Sequence, residues 1–147
     1  MDPREAEYRG MPGTLHMSED LTETKCWSLL STQQTGRLGF VKDGAVHIYP
    51  VNYLVHDGAL YFRTSEDGDI GSLMPLADCA FQADEVKAAE MAGWSVLAHG
   101  KAEIVRDDAQ LTELWGRAAE PPWAGGSRTT FIEIRPSKVT GRSVRTA

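Results

Sequence analysis

With 147 residues, 41% of them hydrophobic, the chain has the length and apolar content of one domain, which excludes wholesale disorder. Its net charge of −6, with 15 Lys and Arg in no long run, argues against a nucleic-acid or anionic-membrane surface. No apolar stretch approaches the roughly 20 residues of a membrane helix, and the charged opening Met1-Asp2-Pro3-Arg4-Glu5 predicts no secretory signal.

Residues 1–17, with Gly10-Met11-Pro12-Gly13 and no periodicity, predict an N-terminal arm ahead of a domain spanning 18–147. Thr22 is expected to cap a first helix, with Glu23 favourable to its dipole. Cys26, Leu29 and Leu30 recur there at helical spacing, and Trp27 widens the stripe. Thr35-Gly36 is expected to end that helix, with Gly36 as a left-handed cap. Cys26 and Cys79 fit no CxxC spacing, so both read as reduced, buried thiols of a cytoplasmic protein.

From Gly36 to Val105 the pattern changes to short strands. Leu38 and Phe40 alternate with Arg37 and Gly39, and Asp43-Gly44 and Asp57-Gly58 supply the positive φ of hairpin turns. Between these turns, Ala45 to His56 forms a strand whose apolar phase slips near Pro50. That slip predicts a bulge, or a strand covered on both faces. Leu60, Phe62 and Thr64 alternate with Ala59, Tyr61 and Arg63, and residues 65–75 hold one short helix at best. Ala77 to Asp84 reads as a half-buried strand and Glu85 to Gly93 as a polar connection. Trp94 to Ile104 is a long strand that Gly100 allows to bend.

Asp107 or Asp108 can cap a second helix with Leu111, Leu114, Trp115 and Ala118 on its apolar face. Trp123, in a Pro- and Gly-bounded loop, reads as a pocket lid or a subunit contact. Thr130, Ile132 and Ile134 mark a strand that Pro136 is expected to interrupt, with a short strand at Val139 to Val144. The sum is mainly β: about six antiparallel strands with two or three helices, better closed into a small barrel than left as an open sheet.

No Walker loop, GxGxxG or GxSxG is present, and His16, His47, His56 and His99 have no second ligand at metal spacing, so no metal site is expected. The protein either binds something or relies on a cofactor for chemistry. Phe62-Arg63-Thr64-Ser65 is the most readable segment, because a guanidinium and two hydroxyls at a strand end can grip a phosphate. The same residues could form a rim ion pair and close a turn. Trp94 could wall a pocket or fill a core.

Thr35-Gly36-Arg37-Leu38-Gly39-Phe40, Pro50-Val51-Asn52-Tyr53, Leu60-Tyr61-Phe62-Arg63-Thr64, Gly93-Trp94-Ser95-Val96 and Gly100-Lys101-Ala102-Glu103 follow in that order. This order and spacing resembles the pyridoxamine 5′-phosphate oxidase-like family, in particular its short actinobacterial members, over about residues 20–106. A weaker echo lies in Ile134-Arg135-Pro136 and Thr140-Gly141-Arg142. The resemblance implies a six-stranded antiparallel split β-barrel (Greek key) with two or three peripheral helices. It also implies bound FMN at the interface of a homodimer. Val51, Asn52 and Tyr53 would lie along the isoalloxazine ring, Arg63, Thr64 and Ser65 at the phosphate, and Trp94 and Ser95 close to the flavin.

Where relatives place a second cation after the Arg-Thr pair, this chain has Asp69, and the C-terminal signature of vitamin B6 oxidation is missing. The expected activity is thus an FMN-dependent oxidation or reduction of a small molecule. The alternatives are a flavin or small-ligand binder without turnover, and a reductase using the deazaflavin F420.

Overall fold

The computed structural model describes residues 16–118 and 128–146. Along the chain run β1 (His16–Asp20), α1 (Glu23–Leu30), β2 (Thr35–Lys42), β3 (Ala45–His56) and β4 (Ala59–Thr64). They are followed by β5 (Leu76–Lys87), β6 (Ala92–Ile104), α2 (Asp108–Arg117) and β7 (Thr130–Thr146). Both Asp-Gly turns form as predicted. Asp43 and Gly44 have φ of 52° and 75°, and Asp57 and Gly58 have 50° and 70°, the twist a two-residue hairpin needs.

Every pairing is antiparallel. β2, β3 and β4 form a meander, and β5 returns beside β2, which is Greek-key order. β7 then pairs with both β6 and β4 and closes a ring of six strands, β7-β4-β3-β2-β5-β6. β1 is a seventh strand outside that count, laid on the last residues of β7. Its sequence, HMSED, has no apolar alternation, so only the β7 ladder defines it. Apart from His16 and Met17, the predicted arm lies outside the described residues, as does Trp123.

Several local expectations change. α1 starts as predicted, with Thr22 Oγ1 accepting the Lys25 N–H at 3.2 Å. It ends at Leu30, and Ser31 closes it in right-handed geometry. Thr35 and Gly36 belong to β2, so Gly36 is not a helix cap; a Cβ there would overlap the Phe81 ring, and closeness of packing explains the glycine. Pro50 causes no bulge. The β2–β3 pairs run unbroken from Thr35–Asn52 to Lys42–Ala45, and β4 reaches β3 only from Tyr53 onward, so Pro50 sits at an open edge.

β7 does not stop at Pro136. The β6–β7 register shifts between His99 and Gly100, with Gly100 opposite Pro136, and the proline occupies that irregularity inside one 17-residue strand. β5 likewise runs on to Lys87 through part of the predicted connection. Within residues 65–75 only a three-residue 3-10 turn, Gly71–Leu73, forms.

The alternation of β4 explains its burial on both faces. Leu60 and Phe62 join Leu38, Phe81, Val96 and Ile132 in the core inside the ring, where Cys26 and Leu30 of α1 also pack. Ala59 and Tyr61 point the other way, under Leu114 of α2 and beside Phe131. Asp107 caps α2 by accepting the Gln110 N–H at 2.9 Å. A polar cluster then moors the helix. The Glu133 carboxylate, 9% exposed, accepts from the Tyr61 hydroxyl at 2.8 Å and from Gln110 Nε2 at 2.7 Å. Arg135 Nε donates to its other oxygen at 3.2 Å. Burial opposes ionisation of Glu133, but hydrogen bonds from Tyr61, Arg135 and Gln110 outweigh it and hold its pKa below the ordinary value.

Two outcomes are expected. Gly36→Ala forces a methyl into the Phe81 ring and lowers unfolding free energy by about 1–3 kcal/mol. Gly39→Ala, whose Cβ would meet nothing closer than 3.8 Å, raises it by about 0.4–1 kcal/mol. Urea denaturation of both variants measures the contrast. Because the Glu133 pKa is depressed in the folded state, its contribution is present above the ordinary carboxylate range. It is lost as pH falls through the lowered value. Glu133→Ala, which takes away the acceptor of the buried Tyr61 hydroxyl, therefore costs about 1–3 kcal/mol at neutral pH and less in acid. Urea midpoints taken across that pH range read the narrowing gap.

Candidate functional site

A cavity of about 1130 Å³ runs along the β3–β4 surface, bounded by the C-terminal end of α2 and by the loops that follow α1 and β4. Six of the eight residues picked out by sequence line it: Val51, Asn52 and Tyr53 from β3, and Arg63, Thr64 and Ser65 from the end of β4. Trp94 and Ser95 do not. They lie on β6, where Trp94 pairs with Glu85 and Ser143, and Ser95 with Asp84 and Arg142. Trp94 is partly buried against the ring core.

The two-residue period of β4 puts Arg63 and Thr64 on opposite faces. Thr64 points inward and is 3% exposed. Arg63 shares the outward face of Tyr61, and its guanidinium carbon stands 5.2 Å from the centroid of the Trp115 ring. Trp115 in turn meets Phe131 edge-on at 4.9 Å. After Ser65 the chain turns sharply: the Gly68 N–H donates to Ser65 O at 3.2 Å, and a Cβ on Gly71 would overlap that same carbonyl.

On β3, Asn52 Oδ1 lies 3.1 Å from Thr35 Oγ1 on the paired strand, in a hydrogen bond that fixes the amide. The Asn52 NH₂ group is then what that side chain has to offer a ligand. Tyr53 contributes stiffness instead. Its hydroxyl donates to Leu30 O, its ring meets Phe81 edge-on at 4.8 Å, and burial raises its phenol far above the usual range, so it stays protonated.

The charged residues of the lining are Arg63, Arg117 and Arg128, with Asp69 the one carboxylate among the described residues. Neighbouring Glu66 is engaged elsewhere, in an ion pair with Arg106 at 2.9 Å. Sequence reading did not find Trp115, Arg117 and Arg128 as site residues. Trp115 reads as the apolar face of a helix, and the structure pairs Arg117 with Glu113 at 2.9 Å. The packing of α2 over β4 brings Arg117 to the cavity and Trp115 against Arg63, while Arg128 enters from the approach to β7.

Residues 22–143 match the family model described as pyridoxamine 5′-phosphate oxidase. The Mycobacterium tuberculosis protein Rv0080 is 29% identical over 138 residues, 90% of either chain. The FAD binding protein from Mycobacterium smegmatis superposes with a TM-score of 0.74 at 32% identity, over 86% of this chain and 97% of its own. A Corynebacterium diphtheriae protein of unknown function does so with a TM-score of 0.71 at 27% identity, over 86% and 97%. The family match takes in both helices and all six strands of the ring, through Ser143 of β7. The chain belongs to the pyridoxamine 5′-phosphate oxidase-like family.

Proposed function

We propose that the cavity binds a flavin nucleotide and that the protein is a flavin-dependent oxidoreductase acting on a small molecule in the cytoplasm. One observation carries this reading. In a chain of net charge −6, three arginines line a single cavity against one carboxylate among the described residues, beside Ser65 and the Val51-Asn52 wall. A phosphate needs that concentration of donors, and a flat ring needs that wall. The FAD-binding relative at 32% identity supports the same class of ligand. FMN is the smallest ligand that meets it; F420 shares the phosphate.

Arg63 would grip the phosphate with its planar fork, its orientation held by the Trp115 ring. Ser65, in the turn that Gly71 keeps tight, would add a donor. Val51 and Asn52 would lie along the ring, and Tyr53 would keep that wall from yielding. A bound flavin supplies the hydride and electron transfer that side chains cannot.

A homodimer completes this reading. Val41, Val46 and Ile48 are 64%, 73% and 66% exposed. They share one face of the β2–β3 hairpin, and on β3 that face continues through Pro50 and Asn52 into the cavity. A self-complementary apolar patch of this kind fits a two-fold contact. Trp94 and Ser95 would then join the flavin from the second copy.

Arg63→Ala is expected to weaken FMN binding by about tenfold to a hundredfold, the loss of one charge-assisted contact. Quenching of flavin fluorescence in a titration checks it, and unchanged affinity removes the phosphate assignment. Ile48→Lys is expected to yield monomers in sedimentation and to lower flavin affinity together with the dimer. A second reading, binding without turnover, is favoured by the absence of imidazole and thiol from the described cavity wall. Anaerobic mixing of holoprotein with NADH or NADPH separates the two: bleaching at a useful rate marks an enzyme, and an inert flavin marks a binder.

A further inference from the structure

We infer that Gln110, which is no part of the large cavity's wall, is a positioning residue for that cavity: by tying the start of α2 to the sheet, it places the last turn of the helix beside the ligand. The inference rests on the flavin reading above and gives a residue outside the site a part in the site's affinity.

Helical period is the first argument. Gln110, Leu114 and Arg117 recur at i, i+4 and i+7, so they share the face of α2 that lies on the sheet. Leu114 is fully buried in the cluster with Ala59, Tyr61, Val105 and Phe131. One turn before it Gln110 bonds to the sheet, and one turn after it Arg117 and Ala118 line the cavity. The stretch from Gln110 to Arg117 is a stiff rod about 10 Å long. A rod that rests on one apolar contact pivots there, so a shift at the Gln110 end moves the Arg117 end by a similar distance.

Direction is the second argument. Gln110 Nε2 donates to Glu133 Oε2 at 2.7 Å and to the Tyr61 hydroxyl at 3.1 Å. Such bonds fail outside a narrow range of distance and angle, whereas apolar packing tolerates a tilt. Both partners are buried and fixed by the sheet, where Tyr61 and Glu133 face each other on β4 and β7. Tyr61 also lines the cavity, but β4 has a ladder on each edge, so α2 is the part able to tilt. Two other polar contacts of α2 restrain it less. His56 Nε2 stands 3.9 Å from Glu113 Oε1 on a largely exposed side chain, and such surface pairs are weak. The Glu113–Arg117 bond lies within the helix and travels with it. A tilt then reaches the ligand by two routes. It carries Arg117 and Ala118 away from the wall, and it carries Trp115 away from the Arg63 guanidinium 5.2 Å from its ring centroid.

The test titrates the full-length protein with FMN and with FAD by flavin fluorescence and follows the tighter of the two. Gln110→Met keeps the bulk of the side chain and loses the amide. It is expected to weaken binding by about fivefold or more, the worth of a lost hydrogen bond. Thr112→Gly loosens α2 from its exposed face and leaves the Gln110 bonds in place, and is expected to keep affinity within about twofold. In a Trp115→Leu/Arg117→Ala background, Gln110→Met is expected to change affinity by less than about twofold, because the groups through which it acts are gone. Gln110→Asn, whose amide stops one carbon short of Glu133, is expected to match Gln110→Met and is read in its place if that variant does not fold. Urea midpoints establish folding throughout. Native-like affinity in the Gln110 variants, an equal loss in Thr112→Gly, or a Gln110 effect that persists in the double-variant background overturns the inference. If Arg63→Ala weakens binding and the Gln110 variants do not, the flavin reading stands and this one falls; if the native chain binds neither flavin, both fall.

Discussion

The double pairing of β7 is the constraint on which the molecule depends. Its first residues, Thr130 to Ile134, pair with β4 on one edge, and from Ile132 to Val144 it pairs with β6 on the other. Without that closure β4 would be an edge strand. With it, β4 has a neighbour on each edge and cover on each face, Leu60 and Phe62 inside the ring and Ala59 and Tyr61 beneath α2. A slip of one residue would exchange those two sets, so the register is fixed. Arg63 and Thr64 inherit that fixity, which is why a strand end can hold a guanidinium at a defined place.

The same outward face determines where α2 lies. Tyr61, Glu133 and Gln110 form a buried polar cluster that is satisfied only when the helix sits in one position. An apolar contact through Leu114 alone would tolerate sliding. A carboxylate with few paths to water does not, because each donor it loses is a desolvated charge left unmatched. Trp115 and Arg117 are set by that mooring, although neither belongs to it. The wall of the cavity is therefore positioned by groups near the start of the same helix.

What could be read from sequence divides along physical lines. Asp43-Gly44, Asp57-Gly58, Thr22 and Asp107 are legible because each acts within four residues of itself, through φ or a cap. Gly36 was misleading, since its reason is the Phe81 ring on another strand, and a glycine after a helical pattern looks the same whether it frees φ or frees space. Pro136 misled in the same way: its tolerance depends on Gly100 across the ladder. β1 has no apolar signal at all. At the cavity, the Val51–Tyr53 and Arg63–Ser65 segments stand together because two consecutive strands bring them there. Arg117 needed the tertiary packing of α2 and Arg128 the return of the chain into β7, for which no local pattern exists.

Asp69 shows how the pieces fit together. The resemblance leads one to expect a cation where this chain carries Asp69, a carboxylate that by itself would repel a phosphate. The electrostatic potential at an anion depends on the distance and screening of each charge, however, and not on which segment supplies it. Arg117 and Arg128 line the same cavity from α2 and from the approach to β7, so among the described residues guanidinium groups outnumber carboxylates in its lining even though the loop after β4 supplies Asp69.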